Sequence, residues 1–141
     1  MENKPGRAAL QNKISLLQKI LDMLREMFRI QTQLEKLLWE EIARSIGSKY
    51  KIDVDVFVAV IWAESGMNPK AVNKNPNGTT DFGICQFNDY WYRRIISPHD
   101  ALNHPETAIN VMAQQWEKGR QNDWIAYRNK SYIKYLKSPQ T

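Results

Sequence analysis

The chain has one cysteine, Cys85, in 141 residues. A lone thiol cannot close an intramolecular disulfide, so the fold rests on packing alone and tolerates a reducing compartment. Histidine is nearly as scarce, with only His99 and His104. Both lie in a loop-like stretch, S-P-H-D-A-L-N-H, and do not make a dyad with Cys85, which reads as a small core residue. The sequence shows no cluster of metal ligands, and this reading calls for no metal and no cofactor. Long apolar runs are also missing. No stretch approaches about 18 uncharged apolar residues, which excludes a transmembrane helix. The N-terminus, M-E-N-K-P-G-R-A-A-L, leads into a pattern broken by charge every few residues, so no signal peptide is visible. Any route of export is left open: a holin, a secretion apparatus, cell lysis or a parent polypeptide.

What is present is a basic, aromatic chain. Twenty Lys and Arg against fifteen Asp and Glu give a net charge of +5, and the isoelectric point is near 9.4. That balance suggests an anionic partner, either nucleic acid or a bacterial wall polymer. The basic residues are scattered rather than massed on one segment, so a nucleic-acid face is not expected. A hydrophobic fraction of 43% with five tryptophans can build one core. The length suits one globular domain with an appendage.

Neither glycine nor proline falls between Arg7 and Gly47. Residues 10 to 38 read as one amphipathic helix of coiled-coil type. Leu10, Leu17, Leu24, Gln31 and Leu38 share one heptad position; Lys13, Ile20, Met27 and Leu34 share a second. Ile14, Leu21 and Phe28 widen the stripe into a third column. Self-association, docking on a partner helix and packing back on the chain's own domain all fit this stripe. A mixed-charge polar face disfavours a membrane surface.

The segment after this helix carries two acids in contrasting company. Glu64 ends the most apolar segment of the chain, Val54 to Ala63. An apolar wall raises a carboxyl pKa and fits it to donate a proton near neutral pH. Asp81 lies seventeen positions on, among Asn73, Asn75, Thr79 and Thr80, where the ionised form is favoured. Two carboxyl groups in different protonation states are what glycosidic cleavage requires. Between them the pairs Asn68-Pro69, Asn75-Pro76 and Asn77-Gly78 signal turns, and a small hairpin lobe is expected. The plainer alternative makes Glu64 a helix-end residue and Asp81 a turn residue.

The string as a whole resembles the lysozyme-like superfamily. The nearest pattern is that of small lytic transglycosylases associated with secretion systems and pili, with features of c-type lysozymes. Glu64-Ser65, Asn68-Pro69, Ala71, Asn73, Asn75, Gly78, Thr80, Asp81, Gly83, Ile84, Gln86 and Asn88 match that signature without a gap. Phe82, Cys85 and Phe87 depart mildly from it, and the absence of disulfides sets the chain apart from c-type lysozymes.

The resemblance implies a mainly α, lysozyme-like α+β domain over residues 39 to 141, with residues 1 to 38 as a helical extension outside it. It decides for a helix over V-D-V-F-V-A-V-I-W-A-E, which on composition alone could also be a buried strand. Asp53 or Asp55 is expected to cap that helix. Further helices are expected over 39–46, over Pro105 to Gly119 with Thr107 or Asn103 near its start, and over the closing Y-I-K-Y-L-K-S-P. The implied activity is muramidase cleavage of the MurNAc-β-1,4-GlcNAc bond of peptidoglycan at the bacterial cell wall, in the periplasm or outside the cell. Glu64 would protonate the glycosidic oxygen. Asp81, held ionised by Asn73, Asn75 and Asn88, would stabilise or attack the oxocarbenium-like centre. Ser65 would orient Glu64, and Gln86 and the backbone around it would hold the acetamido group of the sugar. Trp91 and Tyr92 would line the sugar groove, with at least one of them filling the core instead. Trp124 and Tyr127, in D-W-I-A-Y-R-N, would shape the surroundings of Glu64. The pattern favours a lytic transglycosylase; a hydrolytic lysozyme of endolysin type and a catalytically idle structural module are the alternatives.

Overall fold

A computed structural model describes residues 6–137. The chain divides into two compact units, residues 1–35 and 36–141. Helix α1 runs from Arg7 to Gly47 without a break, as the absence of helix breakers in that interval dictates. In the first unit the apolar stripe is exposed, Leu10, Leu17, Leu24, Met27 and Phe28 included. Its polar face is laced by pairs one turn apart, such as Arg29 with Glu26 at 2.6 Å.

In the second unit the last turns of α1 bury Glu40, Ala43 and Ile46. Helix α2, Val54–Ser65, opens on Asp53, whose side chain accepts the Val56 N–H. It closes on Gly66, left-handed at φ 63°, whose N–H bonds the Trp62 carbonyl. This helix is apolar on almost every side and buries Phe57, Val58, Ala59, Val60 and Ile61 at the centre of the domain. Helix α4, Pro105–Glu117, supplies Ile109, Met112, Ala113 and Trp116 to the same core, with Phe57 edge-on to Trp116 at 5.3 Å.

The turn-rich stretch folds as a three-stranded antiparallel sheet, β1 (Val72–Lys74), β2 (Thr80–Phe82) and β3 (Phe87–Asn88). Its register sets Asp81 opposite Asn73 on one side and Asn88 on the other. The fold is mainly α with a small β lobe, the α+β class expected.

Several local expectations need correction. The stretch read as a loop, S-P-H-D-A-L-N-H, contains a short helix, α3 (Pro98–Asn103), capped by Ser97 and opened by Pro98. Helix α4 stops at Glu117, short of Gly119; His104 stands at its N-cap, with Asn103 and Thr107 near the start as expected. The last elements among the described residues are a short α5 (Ile125–Arg128) and a 3-10 turn, Ser131–Tyr135, in place of a full closing helix. The expected end of that helix at Pro139 lies outside the described residues.

Candidate active site

α2 delivers Glu64 from the core into a cavity of about 610 Å³ lined by both carboxylates, Glu64 and Asp81. Glu64 is partly buried at the end of an apolar helix, and this burial raises its pKa. The Ala126 N–H, 2.9 Å away, opposes the shift by bonding the carboxylate. The negative charge of Asp81 adds to the rise, and Arg128 works against it. Ala126 belongs to the first turn of α5, where backbone N–H groups have no partner within the helix. The Glu64 carboxylate fills that vacancy from far away in the chain.

Asp81 projects from β2 and accepts a hydrogen bond from Asn88 Nδ2 at 2.9 Å. Asn88 also donates to Thr79 Oγ1. Of the three asparagines expected around Asp81, Asn88 is the one whose side chain hydrogen-bonds it; Asn73 stands opposite it across the strands. Asn73 donates to Gln86 Oε1 at 2.7 Å, and Asn75 donates to Thr79 Oγ1. Gln86 is buried, adopts a left-handed φ of 55°, and donates to the carbonyls of Gly83 and Ala71. Its amide thus helps to hold the lobe together, and the residue lines the cavity. The Ser65 hydroxyl bonds backbone carbonyls. It lies 2.6 Å from the Ile84 carbonyl and ties α2 to the turn between β2 and β3.

The aromatic candidates separate by exposure. Trp91 is 71% exposed on the cavity wall, free to stack on a ligand. Tyr92 is buried, packs on Phe87 and Trp124, and donates its hydroxyl to Asp123 at 2.6 Å. Its phenol pKa is pushed up by burial and by that carboxylate. Trp124 is buried under the cavity and donates Nε1–H to the Cys85 carbonyl at 2.9 Å. Tyr127 is displaced from the expected place: its ring meets Trp116 and stacks on Tyr132.

Several residues of the cavity wall were not singled out from sequence: Asn77, Arg120, Asn122, Asp123, Ile125 and Arg128. Arg120 Nε sits 3.0 Å from Asp123, extending the Tyr92 contact into a charged chain. Arg128 lies in the D-W-I-A-Y-R-N string four residues after Trp124, the helical spacing that would have flagged it. Away from the cavity, His99, Asp100 and His104 bring one donor atom each within 4.8 Å of one another.

A family model described as "Transglycosylase SLT domain" matches residues 41–133. The chain belongs to this family. Among curated relatives it is 35% identical over 72 residues to Protein IpgF of Shigella flexneri, covering 48% of this chain and 47% of that protein. It is 28% identical over 79 residues to Invasion protein IagB of Salmonella typhi, covering 53% of this chain and 49% of that protein. Lysozyme C of Penaeus merguiensis is 38% identical over 55 residues, covering 36% of this chain and 35% of that protein. The chain thus spans about half the length of the first two relatives. The matched interval of the family model includes both carboxylates and the whole cavity wall.

Proposed function

We propose that this SLT-family chain cleaves the β-1,4 bond between N-acetylmuramic acid and N-acetylglucosamine in peptidoglycan, by the lytic transglycosylase route. The observation that carries the proposal is the placement of Glu64: a carboxyl whose pKa is raised by burial, facing a cavity that also holds Asp81. Protonated, Glu64 donates to the departing glycosidic oxygen. As a carboxylate it then takes the proton from the muramic 6-hydroxyl, whose oxygen attacks C1 and closes a 1,6-anhydro ring. Acid and base are one residue, so the cycle ends as it began. The Ala126 N–H holds the same oxygen pair in place through both stages. Trp91 offers a face for a sugar ring, and Arg120 and Arg128 supply positive charge to an anionic strand.

The hydrolytic alternative is favoured by one observation, the Asp81 carboxylate held by Asn88 on the same cavity. Mass spectrometry of muropeptides released from purified wall separates the routes. Anhydro-muramic ends are the expected product; reducing ends would overturn the transglycosylase route in favour of hydrolysis, and no release would overturn both.

The cell wall is accordingly the proposed place of action. No helix among the described residues is long and apolar enough to cross a membrane. For residues 1 to 38 we infer association with a second copy of this chain. Leucines recurring at heptad spacing along an exposed face are self-complementary, and a polar face of mixed sign suits two identical helices.

A further inference from the structure

α3 and the turn after it gather a second group of polar side chains, sharing no residue with the cavity wall. His99 Nδ1 lies 3.5 Å from Asp100 Oδ1, and His104 Nε2 lies 3.8 Å from the same oxygen. The two imidazole rings are 5.8 Å apart between centres. These separations are too long for strong hydrogen bonds. They suit donors arranged around a common centre: a tetrahedral ion with ligands at about 2.0–2.2 Å spaces neighbouring donors about 3.4 Å apart. Small rotations of two exposed rings close the remaining difference.

The backbone beneath the three side chains is fixed. Ser97 Oγ accepts the Asp100 N–H at 3.0 Å, and the His104 N–H bonds the Asp100 carbonyl at 2.9 Å. Asn103 Nδ2 donates to the His99 carbonyl at 2.9 Å. Pro98 and Pro105 bracket the segment and restrict it further. The side-chain origins are therefore held while the ligand atoms remain free to adjust. Two imidazoles and one carboxylate select zinc, nickel or copper over calcium or magnesium, which take all-oxygen sites.

We propose that His99, Asp100 and His104 bind one divalent transition-metal ion of the zinc class. The ion joins the two ends of α3 and so firms the β lobe. α3 presses on that lobe at Gly83, where an added Cβ would stand 1.9 Å from the Ala101 carbonyl oxygen. Lys70 adds a hydrogen bond to Asn103 at 3.2 Å.

The test is titration of the untagged full-length protein with zinc chloride, followed by calorimetry and thermal unfolding. One zinc per chain is expected, with a Tm that rises on zinc and returns on EDTA; magnesium chloride should leave it unmoved. His99→Ala and His104→Ala each remove a direct ligand and should abolish saturable binding at the zinc concentrations that fill the wild type, together with the thermal response. His99→Ala should keep the metal-free Tm and the wall-cleaving rate. In the wild type, zinc should also shift the imidazole NMR signals of the chain's two histidines, a readout that needs no variant. An isotherm unchanged in both variants, unmoved imidazole signals, or no saturable zinc binding would overturn the proposal.

Discussion

The Glu64 carboxylate accepts its hydrogen bond from the backbone of Ala126, 2.9 Å away and 62 residues later in the chain. Substituting the side chain of Ala126 would leave this contact in place, because the donor belongs to the helix end and not to a residue type. The carboxyl is thereby held at the N-terminus of α5, with its other oxygen left for chemistry.

Glu64→Gln should abolish release of muropeptides while leaving the fold intact, since the amide is nearly isosteric and its oxygen still accepts from Ala126. It should also alter the pH dependence of stability. Because folding raises the Glu64 pKa, the folded state binds its proton more tightly than the unfolded chain does. The wild type therefore loses stability as pH rises from the ordinary carboxylate range toward the raised value. At neutral pH the variant should melt higher by on the order of a few degrees, and below about pH 4 the gap should close. Melting curves at the two pH values check this; an equal gap at both would remove Glu64 as the titrating group.

Asp81→Asn distinguishes two roles. As nucleophile or charge stabiliser, Asp81 contributes about 3–4 kcal/mol to the transition state, and its loss costs several orders of magnitude. On the transglycosylase route proposed here, Asp81 mainly organises the lobe through Asn88, and a modest loss is expected. Initial rates on purified wall, read beside a Tm, decide between them.

Trp124→Phe should destabilise without unfolding. The indole N–H is the partner of the buried Cys85 carbonyl, and leaving that acceptor unpaired costs about 1–3 kcal/mol. Denaturant unfolding should show a lower midpoint with an unchanged slope. A midpoint equal to wild type would mean that water or another donor reaches the carbonyl.

Removing the residues before Leu38 should leave activity on soluble wall fragments and convert a larger species into a monomer. Burying the leucine stripe between chains gives roughly 25 cal/mol per Å² of apolar area, enough to drive association along a long helix. Light scattering showing a monomeric full-length chain, with the truncated chain insoluble, would place the helix in the core and end the assembly reading.

Much of this was legible in the sequence because the signals were side-chain signals. The apolar run before Glu64 pointed to the acid's burial, the resemblance decided that the run is a helix, and turn pairs marked the β lobe. What stayed hidden depended on the backbone. The Ala126 N–H carries no residue signature, and it holds Glu64 more directly than the Ser65 hydroxyl, which turned to Ile84. Asn73 was expected at Asp81 from its polar company in the sequence; the strands do pair the two residues, but the Asn73 side chain reaches Gln86. α3 was missed although Ser97 and Pro98 are a capping residue and a first-turn proline, because Pro, His, Asp and Asn together also describe a loop.

Cys85 lies fully buried beneath the cavity, its thiol pKa raised by desolvation. A maleimide or iodoacetamide in solution meets that sulfur only when the packing around it opens. The rate of alkylation of the native protein is therefore a clock for those openings, readable without any introduced label. Tight engagement of a glycan fragment should slow the clock by the same factor by which it suppresses opening, turning one inert thiol into a measure of occupancy.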